Sequence, residues 1–136
     1  MSQNSRPGGL VALAILNFLF AAIGFISVVS SILSLVFKDK MIAHDPNLKG
    51  WIESISVFYI ASSAVLTVFL IVSGVGYLMQ KKILGFVLGN VAAIVWVIHL
   101  TLSSETFNII NSALLLLPVL TLVMLNVVFK KDFINP

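Results

Sequence analysis

His99 is the one side chain that titrates near neutral pH and can be placed inside a long apolar segment of this sequence. It lies three residues after Trp96, where an imidazole could sense protons, contact a quinone or bind a metal. A metal centre of the usual three or four ligands needs more than one imidazole. The other histidine, His44, falls in the polar stretch between the first two apolar segments. The two would share a divalent ion only if both rings met on one membrane face; the alternative is an interfacial His99 held by hydrogen bonds. No Asp, Glu, Lys or Arg lies in the central part of any apolar segment, whereas proton-coupled transporters, intramembrane aspartate proteases and many ion pathways use ionisable groups at that depth. Small multidrug exporters use a buried glutamate in their first helix, and here that helix has only Asn17. Cysteine is absent, which removes disulfides, thiolate metal sites and thiol-based redox chemistry. With no nucleophile–base pair, acid pair or metal set in view, the expectation is a protein that is not an enzyme and carries no catalytic, cofactor or metal residues.

The elements that would position these residues follow from composition. Of 136 residues, 60% are hydrophobic and 10% charged, against about 45–50% apolar and roughly a quarter charged in a soluble domain. Five acids and eight bases cannot clothe a water-facing surface of this size, so the excess apolar residues face lipid. The predicted fold is all-α, an integral membrane bundle of four antiparallel transmembrane helices forming one domain. Its spans are about 10–37, 55–79, 83–102 and 107–129, with a single substantial outer loop over 38–53. Each run meets the roughly 20 residues needed to cross a hydrocarbon core, and none alternates as barrel strands do. The first run exceeds the apolar core of a secretory signal, about 7–15 residues, and reads as an uncleaved span. Asp45-Pro46 is a helix-start signal, so the second helix is expected to begin near Pro46, with Trp51 anchoring it at the interface. Gln80-Lys81-Lys82 and Ser103-Ser104-Glu105 mark short polar turns. Pro118 predicts a kink in the last helix.

Basic residues set the orientation. With the N-terminus inside, Arg6, Lys81, Lys82, Lys130 and Lys131 are cytoplasmic, and Lys38, Lys40 and Lys49 are outside. Both termini are therefore expected in the cytoplasm, although the margin leaves dual insertion open. The net charge of +3, placed at the ends of the apolar runs, suits anionic headgroups and not nucleic acid.

Small residues supply candidate packing faces. Gly85 and Gly89, continuing through Ala92, Ala93 and Trp96, line one face of the third helix; Asn17, Ala21, Gly24, Ser27, Ser31 and Ser34 line one of the first. The same hydroxyls and amides admit a second reading, a narrow polar path in an oligomer through Asn17, Thr67 and Asn90 with the serines. Serine and threonine bond their own helix backbone easily, however, and need no water. Helix packing is the simpler use, and Trp51, Trp96 and His99 form a candidate interface site.

Two stretches carry a resemblance. Ser73-Gly74-Val75-Gly76-Tyr77-Leu78-Met79-Gln80-Lys81-Lys82, leading to Gly85 and Gly89-Asn90, and the ending from Thr121 to Phe133 resemble small four-span inner-membrane proteins predicted in many bacteria. Many of those have a tryptophan after the basic residue of the short second loop, where this chain has Ile83. The resemblance implies a bacterial inner-membrane location and no activity. The expected role is a structural or accessory component packing against membrane lipids or a partner membrane subunit, the alternative being a homo-oligomeric channel or small transporter lined by Ser, Thr and Asn.

Overall fold

The computed structural model describes residues 7–103 and 109–133. They are mostly helical, with no strand among them. The elements are α1 (Gly8–Val36), α2 (Lys38–His44), α3 (Leu48–Ser54), α4 (Val57–Leu78), α5 (Leu88–Ser103) and α6 (Ile109–Val123). Two wider π-helical stretches extend this set: Lys82–Val87 leads into α5, and Met124–Val128 continues α6. Three helices are long and apolar enough to cross a membrane, over Gly8–Val36, Val57–Leu78 and Lys82–Leu102. The fourth apolar run is shorter, Leu114–Val128. The turn expected around Ser104-Glu105 and the start of that run at Phe107 lie outside the described residues.

The outer loop over 38–53 holds two short helices, α2 and α3, of which only the second lies where helix is expected from near Pro46. Lys38 and Glu53 approach to 4.0 Å across the hairpin of α2 and α3, a half-exposed ion pair that adds little stability. The helix expected from near Pro46 is not continuous with the second long helix, which is α4 (Val57–Leu78). The Asp45 carboxylate accepts from the backbone and side-chain N–H groups of Asn47, both at 3.0 Å, which closes a local turn and leaves it no role as the cap of α4. Helix α3 ends at Ser54, Ile55 is extended, and Ser56 starts α4 afresh by accepting the Tyr59 N–H at 3.0 Å. Ser56→Ala is expected to cost about 1 kcal/mol of stability, read by unfolding in mixed micelles.

At its other end α4 closes through backbone geometry. Gln80 takes a left-handed φ of 52°, the Lys81 N–H bonds Gly76 O at 3.0 Å, and the Gln80 N–H bonds Tyr77 O at 3.2 Å. This pair of bonds satisfies carbonyls the helix would otherwise leave open. It reverses the chain in the few residues that separate α4 from the next apolar helix.

Packing follows antiparallel pairings. Along α1 and α4, Asn17 meets Ser73, Gly24 meets Thr67 and Ser27 meets Tyr59. Along α4 and the following helix, Gly76 meets Gly85, Tyr77 meets Gly89 and Ser62 meets His99. A Cβ built on Gly76 would sit 2.6 Å from the Cα of Gly85, and one on Gly85 would sit 2.9 Å from Gly76 C and O. The two backbones therefore touch without side chains between them. One apolar cluster surrounds this crossing, built on Leu10, Leu13, Ala14, Tyr77, Leu125, Phe129 and Phe133. A second, nearer mid-helix, holds Ala21, Leu66, Leu70, Ala92 and Trp96. Pro118 is buried within α6, and the helix runs on through it. Large apolar side chains such as Ile23, Phe25, Val68, Ile94 and Leu116 point outward on every long helix, a surface that suits lipid and not water.

Candidate functional site

Where α1, α4 and α5 diverge towards the α2–α3 hairpin, they enclose a cleft of about 380 Å3. Phe20, Ile23, Leu66, Leu70, Trp96 and Leu114 make its apolar walls, and Ser27, Tyr59, Ser63, Thr67 and His99 contribute polar groups. Beside it lies a second hollow of about 550 Å3 under α3, lined by Ser27, Ser30, Ser31, Trp51, Ser54, Ile55 and Tyr59. Ser27 and Tyr59 line both, with their hydroxyls 3.2 Å apart. They stand between the hydroxyl-rich hollow under α3 and the more apolar cleft. Volume and lining fall within the usual range for small-molecule sites, which are mostly apolar with a few placed polar groups.

Helical spacing explains how the polar groups converge. Tyr59, Ser62, Ser63 and Thr67 recur at intervals that share one face of α4, and that face looks towards α1 and α5. His99 reaches it from α5. Its Nδ1 lies 3.0 Å from Ser62 Oγ and its Nε2 3.4 Å from Ser63 Oγ, while its ring tilts 34° to Tyr59 at a centroid distance of 5.3 Å. Ser62 gives its only hydroxyl proton to Tyr59 O at 3.1 Å, so the Nδ1–H of a neutral His99 ring donates to Ser62 and Nε2 accepts from Ser63. Both ring nitrogens are thus engaged within the bundle. His44 stands exposed at the end of α2, outside the residues lining either hollow. Among the described residues, no group of three His, Asp or Glu is placed to hold a metal.

The other predicted residues distribute as follows. Trp96 is buried against Phe20, with ring centroids 4.7 Å apart, and Trp51 is half exposed at the hollow under α3. Ser31 is buried beside that hollow. Gly24 lies against Thr67, whose Oγ1 would be 2.5 Å from an added Cβ. Gly89 lies against the Tyr77 ring, and Ala93 is buried. Asn17 donates to Ser73 Oγ at 2.9 Å in the α1–α4 seam, and Thr67 donates to Ser63 O at 2.8 Å. Asn90 faces α6, where its Oδ1 accepts from Asn126 Nδ2 at 2.6 Å. Of these three, only Thr67 lines the cleft.

Tyr59, Ser62 and Asn126 were not singled out from sequence as site residues. Tyr59 reads as one more aromatic in an apolar run, and the Asn pair is separated by 36 positions. The one usable signal is the Ser62-Ser63 doublet, two hydroxyls on a helix whose neighbour carries the one histidine of the long apolar segments. No protein-family model, curated protein or solved structure matches the chain.

Proposed function

We propose that this chain is a small, non-catalytic four-span membrane protein of accessory type. Its hairpin-side cleft holds the hydrocarbon part of a membrane amphipath, a lipid whose neutral hydrogen-bonding head rests among the hydroxyls of the hollow under α3. Residues 109–128 form the fourth crossing in this reading, both termini are cytoplasmic, and the membrane is a bacterial inner membrane. The two adjoining hollows carry the proposal: an apolar chamber that shares Ser27 and Tyr59 with a pocket of four serines and a tryptophan suits the two ends of an amphipath. Charge distribution supports the orientation, since Lys81, Lys82, Lys130 and Lys131 gather at the end opposite the hairpin. A channel draws less support from the geometry, because Ser34, Thr67, Ser73 and Thr121 all bond carbonyls of their own helices.

The test is native mass spectrometry of protein extracted in mild detergent. A bound lipid at about one per chain is expected for the native protein. Ser27→Phe, which places a ring between the two hollows at a half-buried position, is expected to lower that occupancy at least fivefold while leaving the helix content unchanged. Bare native protein, or equal lipid retention by Ser27→Phe, overturns the cleft as a binding site.

A further inference from the structure

Asn90 and Asn126 form an amide pair on the outer surface of α5 and the end of α6, remote from the cleft. Two backbone carbonyls decide how each amide is turned. Asn90 Nδ2 donates to Phe86 O at 2.8 Å, and Asn126 Nδ2 donates to Leu122 O at 2.8 Å. A carbonyl accepts only, so the NH2 group of each asparagine must face it. The remaining N–H of Asn126 goes to Asn90 Oδ1 at 2.6 Å. This leaves two groups unused: the whole carbonyl oxygen of Asn126, which is exposed, and one N–H of the half-exposed Asn90.

Their surroundings are hydrocarbon-like. Val87 and Ile94 flank Asn90 one turn away on either side, Val119 and Val123 precede Asn126 on the same face of α6, and all four are exposed. Asn126 lies four residues before Lys130 and Asn90 eight after Lys82, about 6–12 Å inward of those charges at the helical rise. If residues 109–128 cross the membrane as proposed above, water is scarce at that depth, and an amide left without partners there costs free energy that another helix can recover.

We infer that this face is a self-association surface, on which a second copy of the chain docks about a two-fold axis through the Asn90–Asn126 pair. The donor and the acceptor left over lie side by side, so a two-fold related copy presents the complement of each. Asn126 Oδ1 of one copy accepts from Asn90 Nδ2 of the other, and the reverse bond forms at the same time. An isologous interface requires this self-complementarity, and it closes the amide ring with no group left over. The flanking valines and isoleucine pack around it and keep lipid and water from the four amides. The inference rests on the fourth crossing proposed above but not on lipid binding, since no residue lining the cleft takes part.

Because the chain has no cysteine, Val123→Cys introduces a single thiol beside the amide pair. In proteoliposomes at high lipid-to-protein ratio, this variant is expected to oxidise to a covalent dimer. Phe25→Cys, exposed on α1, is expected to give only the background of chance collisions. Förster transfer between differently labelled copies is expected to show dimer affinity weakened about tenfold by Asn126→Leu, the order expected for polar contacts between membrane helices, and largely retained in Asn126→Gln. Circular dichroism of each variant separates loss of association from loss of fold. A monomer at every dilution overturns the inference. Equal cross-linking at positions 25 and 123, or unchanged affinity in a folded Asn126→Leu protein, does so as well.

Discussion

Gly76→Leu is expected to yield no folded protein, and Gly76→Ala to lose about 3 kcal/mol or more, the upper end of what overpacking costs. The reason is the identity of the obstructing atoms. A Cβ on Gly76 would run into the backbone N, Cα and preceding carbonyl carbon at Gly85, none of which can rotate aside as a side chain could. The neighbouring backbone is also committed, because Gly76 O accepts the Lys81 N–H that closes α4. Separating the helices to admit a methyl group would break that closure and open the Tyr77 cluster behind it. Gly50 is the control: it stands in α3 with open space around its Cα. Gly50→Ala should leave stability unchanged or raise it by about 0.5–1 kcal/mol through helix propensity. Unfolding in mixed micelles, followed by circular dichroism, measures both. A Gly76→Ala protein as stable as the native one would show that the close crossing is not required for folding.

Tyr77 should respond in opposite ways to two truncations. Its side chain is fully buried, and its hydroxyl lies near Asn17 and Ser73 without a well-formed hydrogen bond to either. A buried donor without a partner costs free energy, so Tyr77→Phe is expected to be neutral or stabilising by about 1 kcal/mol. Tyr77→Ala removes the ring between Leu10, Leu13, Leu125 and Phe133. In water such a change costs about 3–5 kcal/mol. In the membrane reading proposed above, the separated helices would leave the ring in lipid, so the transfer part is small and the lost packing remains. About 2–3 kcal/mol is the expected loss, measured by the same unfolding assay. Destabilisation by Tyr77→Phe would mean that the hydroxyl is held by bonds to its neighbours.

The long helices were legible because their determinants are local. Lysines at 81, 82, 130 and 131 and the polar run from Lys38 mark where apolar runs stop, and nothing inside the runs interrupts them. The small-residue faces could also be read, since spacing along one helix is enough to define a stripe. Three features depended on something else. Helices α2 and α3 sit in a charged stretch whose composition looks like loop, and their helicity comes with the hairpin they form. The break at Ile55-Ser56 carries neither glycine nor proline, and Asp45-Pro46 offered a stronger start signal ten residues earlier. The π-helical stretch Lys82–Val87 has an ordinary apolar sequence. It alters how the helix is rotated, and so which residues of the third span face α4 and which face α6. Partners across helices depend on that rotation. This is why His99 could be noticed from its residue type while Ser62 and Ser63 could not be assigned to it, and why Asn90 stood out without Asn126.

The contrast between the two ends of the bundle has a mechanical consequence. At the Lys81 end, backbone touches backbone at Gly76 and Gly85 and the side chains around the crossing are fully buried; at the Trp51 end, the same helices part around two hollows. Packing is therefore graded along the bundle, like a clothes peg whose spring lies at the lysine side. In the four-span reading proposed above, lateral pressure at the Trp51 end would change the width of the two hollows more than the spacing at the Gly76–Gly85 crossing.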